Sequence, residues 1–190
     1  MMTASYELRQ ERADDHAEVR RVVVEAFTSS DYGYQGEADL VEELRARHED
    51  RIAYVACESS RVVGHVLLTP ATLRSNDAAN ECMTLRGMGL APLAVAPDRK
   101  GIGVGSALTD QALAQAFSSG TGFVLVLGSG AFYQRFGFAS ASEMGIAHGF
   151  AGMPQEAFYI RFAEDVDPRA WANSQAFYSP VFGPQHAEPI

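Results

Sequence analysis

No apolar run in the 190 residues approaches the roughly 18 needed to cross a bilayer, so the sequence argues against a membrane-spanning helix. The opening residues, MMTASYELRQERADD, also lack the basic and then apolar order of a secretion signal, and the expectation is a cytoplasmic protein. Cysteine is scarce. Cys57 and Cys82 are the two in the chain, they form neither a metal-ligand nor a redox spacing, and they imply no disulfide framework. Cys57 sits in a strand-like run and reads as a small core residue. Basic charge is in deficit, with 15 Lys and Arg against 24 Asp and Glu, a formal charge of −9. Such a balance argues against nucleic acid or an anionic membrane as the main partner and mildly suits a cationic one. Against these shortages stand 47% hydrophobic and 21% charged residues, ordinary values for one globular domain with a sizeable core.

The chain opens as strand then helix. Tyr6–Gln10 alternates, Asp14 and Asp15 can cap a helix start, and Ala17–Phe27 sets Val19, Val22, Val23, Ala26 and Phe27 on one helical face. Thr28–Gly36 is a polar loop holding Tyr32 and Tyr34, which read equally as turn residues or as the lip of a pocket. Glu37–His48 returns to helix through Leu40, Val41 and Leu44. Ile52–Glu58 and Val62–Thr69 are β-branched runs joined as a hairpin by Ser59-Ser60-Arg61. Gly64 predicts a bulge or a close approach. His65 beside it is either a structural histidine or a base. Ser75–Glu81 is a polar turn before the strand Met88–Ala96.

That strand leads into the most informative stretch, LAPLAVAPDRKGIGVGSALTDQALAQAF, residues 90–117. An apolar run meets Pro97, passes three alternating glycines (Gly101, Gly103, Gly105), and opens into a helix whose buried face is Leu108, Ala112, Leu113, Ala116 and Phe117. A helix starting near Gly103 aims unpartnered backbone N–H groups outward, where they can donate to phosphate oxygens. Glycine removes the Cβ atoms that would hold a phosphate away. Lys100 adds a point charge, with Arg99 nearby. A turn with no ligand is the alternative, but three glycines at a helix start cost roughly 1 kcal/mol each relative to Ala.

Spacing separates the families that use such a turn. A P-loop needs Lys and then Ser or Thr after its last glycine, whereas Ser106 and Ala107 follow Gly105. The dinucleotide fingerprint wants a further glycine and an acid about 20 residues on, and Thr121–Gly128 (TGFVLVLG) holds no carboxylate. After the helix, Phe123–Leu127 reads as a strand covered on both faces, parallel to the one before it with a right-handed crossover. An antiparallel N-terminal meander followed by one parallel unit also disfavours a doubly wound dinucleotide fold. Gly128–Phe138 (GSGAFYQRFGF) predicts a short helix with Phe132, Tyr133 and Phe136, ending near Gly137. Beyond lie a loop at Met144–Pro154, a strand at Phe158–Phe162, and an aromatic tail. Trp171, Phe177, Tyr178 and Phe182 would be costly to leave exposed, which predicts that the tail packs onto the same domain.

The third pattern, [Q/R]-x-x-G-x-[G/A] after a strand ending in x-V-x-P, is met by Leu93-Ala94-Val95-Ala96-Pro97 and Lys100-Gly101-Ile102-Gly103-Val104-Gly105, with Lys100 standing for Gln or Arg. Together with Tyr133–Phe138 it resembles the GNAT N-acetyltransferase superfamily over about Tyr6–Phe138, in a bacterial subgroup with a Y-x-R-F-G-F ending and a C-terminal extension. The resemblance implies a mixed α/β sheet with antiparallel N-terminal strands and one splayed parallel pair. It implies a core domain at 1–142 with an extension at 143–190 packed on it. It implies acetyl-CoA as cosubstrate, no metal, and direct transfer of the acetyl group to an amine of a small molecule or peptide, with allowance for a homodimer.

Carried over residue by residue, pantetheine falls to Leu93, Ala94 and Val95. The diphosphate falls to Lys100, Gly101, Ile102, Gly103, Val104 and Gly105, with Ser106 adjacent. Backbone N–H groups at Leu93 or Ala94 would steady the oxyanion, and Tyr133 would protonate the leaving thiolate. Ser129 and Gly130 stand where relatives often place Asn or Asp. The base is not identified: neither central strand carries a carboxylate, and Glu37, His65 and Glu81 are candidates without a spacing argument. A catalytically silent acyl-CoA-binding module is the alternative reading.

Overall fold

Local patterning accounts for the first strands in the computed structural model, which describes residues 6–31, 33–47, 51–75, 83–150 and 153–183. Strand β1 (Glu7–Gln10) pairs antiparallel with β2 (Ile52–Glu58), which turns through Ser59 and Ser60 into β3 (Arg61–Arg74). Ser59 takes a φ of 55°, the left-handed conformation that two-residue hairpin turns use. Between β1 and β2 come α1 (His16–Thr28) and α2 (Glu37–Arg47). Strand β4 (Thr84–Val95), α3 (Val104–Ser118) and β5 (Phe123–Leu127) come next. The chain then forms α4 (Gly130–Tyr133), β6 (Ala139–Ser140), β7 (Phe158–Phe162) and β8 (Gln175–Phe177). Among the described residues no helix is long and apolar enough to cross a membrane.

The elements gather into two units. One holds residues up to Leu68 together with Ala91–Ala114, and the other holds Thr69–Leu90 and the residues from Gln115 on. The first unit carries the antiparallel run β1-β2-β3 and the end of β4, whose following residue Ala96 donates its N–H to the Val63 carbonyl at 2.9 Å. Its helices α1 and α2 bury Val19, Val22, Val23, Ala26, Ala38, Val41 and Leu44. Asp15 does not cap α1 with its side chain, as the sequence suggested. Its carboxylate instead accepts from the Arg12 N–H at 2.7 Å and pairs with the Arg9 guanidinium at 2.6 and 2.7 Å. The ion pair and its hydrogen bond outweigh burial and hold this carboxyl below its ordinary range.

Both expectations for Gly64 hold. The register slips so that Ala56 faces Gly64 and Cys57 faces Val62, leaving Val63 as a bulge. A Cβ on Gly64 would stand 2.7 Å from Val104 Cγ1 and 2.8 Å from Leu108 Cδ1, so the first turns of α3 rest on bare backbone.

In the second unit β4 pairs with β5 in parallel from Met88↔Val124 to Leu90↔Val126, the one parallel strand pair among the described residues of a mostly antiparallel sheet. Strand β5 continues antiparallel to β7, and β7 to β6. The tail joins this unit as β8, antiparallel to Thr72–Arg74 of β3. Two glycines of β4 give the packing its shape. A Cβ on Gly87 would meet the Phe123 ring at 2.5 Å, and one on Gly89 would meet Tyr178 at 2.5 Å. Aromatic rings thus lie directly on strand backbone. They head a core that includes Leu73, Leu125, Ile146, Phe158, Ile160 and Trp171.

Candidate functional site

In the turn between β4 and α3, glycines alternate with residues that keep their side chains. Pro97 starts one 3-10 turn through Arg99, Lys100 is extended, and the chain then swings through Gly101 at φ 81° and Gly103 at φ 94° into α3. Both are left-handed conformations that cost an L-residue roughly 1–2 kcal/mol. A Cβ at either position would meet nothing within 4 Å, so these glycines answer to backbone conformation and face open space. Gly105 already lies in the first turn of α3, where its carbonyl accepts from Thr109 Oγ1 at 2.8 Å. In any α-helix the first N–H groups have no intrahelical acceptor, and here they emerge beside an open glycine backbone. Chemically this is a cradle for an anionic oxygen cluster such as a diphosphate.

The charges around the turn are arranged differently from the sequence expectation. Arg99 is held by Glu58, Nε to Oε1 at 2.7 Å and Nη2 to Oε2 at 2.8 Å, and also meets Asp98 at 3.0 Å. Arg61 grips the same Asp98 at 2.9 and 3.1 Å. Lys100 donates from Nζ to Ser29 Oγ at 3.0 Å, at the C-cap of α1. No spacing rule could have found Ser29, which lies 71 residues away. Upstream, Ala94 is buried and Leu93 and Val95 are half-buried as β4 ends.

Tyr133 is packed in the opposite manner. It ends α4, and its ring contacts Phe132 edge-on at 4.9 Å and Phe138 at 5.6 Å. Gly128 makes room for it, since a Cβ there would fall 2.6 Å from Tyr133 Cε2. Burial pushes the phenol well above its ordinary, already alkaline range, and it is an O–H donor at neutral pH. Gly137, left-handed at φ 79°, closes the turn where the sequence predicted. Gly130 is free of a Cβ where the Tyr159 hydroxyl sits against it.

The candidate bases fare unequally. Glu81 lies outside the described residues, as do Tyr32 and Cys82. Glu37 accepts the Gln35 N–H at 2.8 Å in the first turn of α2. His65 is fully buried and bonds through Nε2 to Glu11 Oε2 at 2.8 Å. The other Glu11 oxygen meets Arg45 at 2.7 Å and His16 at 3.4 Å. Burial opposes ionisation of Glu11, but the His65 hydrogen bond and the Arg45 charge outweigh it and hold the carboxyl below its ordinary value. Glu11 was not legible as a partner of His65 because 54 residues separate them. Among the described residues no group of three or more His, Cys, Asp or Glu could hold a metal ion.

Comparison with known proteins bears on this arrangement. Residues 7–141 match the family model described as an acetyltransferase (GNAT) domain. An uncharacterised N-acetyltransferase of Escherichia coli K12, YjhQ, is 34% identical over 126 residues, which span 65% of this chain and 64% of that protein's length. The crystal structure of the E. coli GNAT family N-acetyltransferase YhbS in complex with CoA superposes with a TM-score of 0.76 at 27% identity, covering 93% of this chain and 91% of that one. A GNAT family acetyltransferase from Brucella melitensis in complex with acetyl-CoA gives 0.70 at 28% identity, covering 94% and 99%.

Proposed function

Because this chain belongs to the GNAT acetyltransferase family, we propose that it binds acetyl-CoA and transfers the acetyl group to an amine of a small molecule or peptide. The observation that carries the reading is the open, left-handed glycine pair at Gly101 and Gly103 running into α3. Under it, the backbone from Lys100 to Gly105, with Ser106, takes the diphosphate, and Leu93, Ala94 and Val95 take the pantetheine arm by strand-like hydrogen bonding. The two relatives with coenzyme bound support this choice of ligand.

Each residue then has a role in the chemistry. Backbone N–H groups at Leu93 or Ala94 stabilise the oxyanion formed when a neutral amine attacks the thioester carbonyl. Tyr133, whose phenol holds its proton at neutral pH, gives that proton to the departing sulfur. His65 is not assigned the base role, since its ring is enclosed and bonded to Glu11.

Calorimetric titration with CoA, followed by a thiol-release screen of amines, polyamines, aminoglycosides, amino acids and peptides with acetyl-CoA, tests the reading. Saturable CoA binding and acceptor-dependent thiol release are expected. CoA binding without release from any acceptor would favour the silent binding module, and no CoA binding would overturn both.

A further inference from the structure

Of the 15 basic residues in the chain, 14 are arginine, and Lys100 is the single lysine. Guanidinium groups stay charged and do not act as acyl acceptors, whereas the lysine amine is a common target of acetylation. The one side-chain amine in the protein therefore stands at the entrance to the glycine turn, on the residue before Gly101. It is exposed, and its Nζ is held by a hydrogen bond to the neutral Ser29 hydroxyl at 3.0 Å. The neighbouring guanidinium groups are already engaged, Arg99 by Glu58 and Asp98, and Arg61 by Asp98. Neutralising Lys100 thus strips the turn of the cation that its other neighbours do not replace.

We infer that Lys100 is an acetylation site through which acetyl donors in solution lower this protein's own affinity for coenzyme. The inference rests on the diphosphate reading above. In the modifying step the neutral Nζ attacks the carbonyl carbon of an acetyl thioester or an acyl phosphate, and a C–N bond forms. The C–S or C–O bond breaks, the thiolate or phosphate leaves with the electron pair, and the amine proton passes to water. The product amide carries no charge. Coenzyme seated on the turn covers Nζ, so occupancy protects the site.

Full-length protein is incubated with acetyl-CoA in one arm and acetyl phosphate in another, the second also with saturating CoA. Intact mass and peptide mapping locate the acetyl groups, and calorimetry gives the Kd for CoA before and after. In the acetyl phosphate arm the expected result is one side-chain acetyl, at Lys100, with a Kd raised about tenfold or more, as for loss of a charge-assisted contact. In the acetyl-CoA arm modification is slower, because the bound donor itself covers the site. Added CoA suppresses the modification by acetyl phosphate. Lys100→Arg should gain no side-chain acetyl and show no change in its own Kd on treatment, and Lys100→Gln should match the acetylated protein. Acetylation of the chain's α-amino group with Lys100 left unmodified, or an acetylated Lys100 with unchanged Kd, overturns the inference alone. Failure of untreated protein to bind CoA overturns the diphosphate reading and this inference with it.

Discussion

Between Lys100 and Gly105 every second residue is a glycine, whereas between Phe132 and Phe138 aromatic side chains crowd together. At the first turn, Gly101 and Gly103 leave open space around a backbone whose conformation only glycine adopts cheaply. At the second, Tyr133 is wedged among Phe132, Phe138 and the bare backbone of Gly128. Under the proposed roles, the two turns present different groups. Backbone N–H groups are fixed by the main chain, so exposing them needs the removal of anything that would cover them. Under the proposed role, a phenol that donates its proton in one orientation needs rings that fix its rotamer. Damage to the first turn should therefore appear in coenzyme affinity, and damage to the second in turnover.

The sharpest test of that division is Tyr133→Phe, which keeps the ring and removes the proton. Thiol release with a working acceptor should fall by about 10²- to 10⁴-fold, the usual worth of positioned proton transfer, while the Kd for CoA holds. An equal loss in both would mean that the aromatic turn binds coenzyme and does not act on the leaving sulfur.

The packing of the first unit is probed by Glu11→Ala, which leaves Arg45 and His65 buried without their shared carboxylate. Breaking such a pair should cost about 3–5 kcal/mol of stability in urea melts at pH 7. The sign with pH is set by the depressed folded value of Glu11. The cluster's contribution is full above the unfolded carboxyl value of about 4.3 and is lost as pH falls through the lower folded value, so the gap between wild type and variant should close in acid. A gap that persists at low pH would show that Glu11 acts through packing and not through its charge.

Smaller effects should separate the two turns by mechanism. Gly128→Val drives a side chain into the Tyr133 ring, with a cost of about 1–3 kcal/mol expected from overpacking. Turnover should fall because the ring moves, with CoA affinity retained in calorimetry. Gly103→Ala meets no neighbour, so its stability cost should be only the roughly 1–2 kcal/mol of a left-handed L-residue. Here the Kd for CoA should rise at unchanged saturated turnover, and an unchanged Kd would remove Gly103 from the binding surface.

Much of this was legible in the sequence. The boundaries of α1, α3 and β5, the parallel pair, and the end of the short helix near Gly137 all derive from hydrophobic period and glycine position. The glycine turn could be read because its signal is contiguous: a strand, a proline, alternating glycines and a helical face within 28 residues. Less legible were the partners that side chains find across the chain. Arg99, expected beside the phosphate, is claimed by Glu58, and Asp15 turned from a helix cap into an ion pair with Arg9.

By itself, then, the order of residues determined where backbone would be exposed, where it would be covered, and which family's pattern it matches. That information is local, carried by side-chain periods and by residues with special backbone freedom. Only the tertiary structure decided that His65 is enclosed against Glu11, that α3 rests on Gly64, and that aromatic rings lie on Gly87 and Gly89. Those choices depend on which distant groups meet when the core closes, and burial makes an unpaired charge or an unfilled gap too costly for any arrangement but a mutually satisfied one.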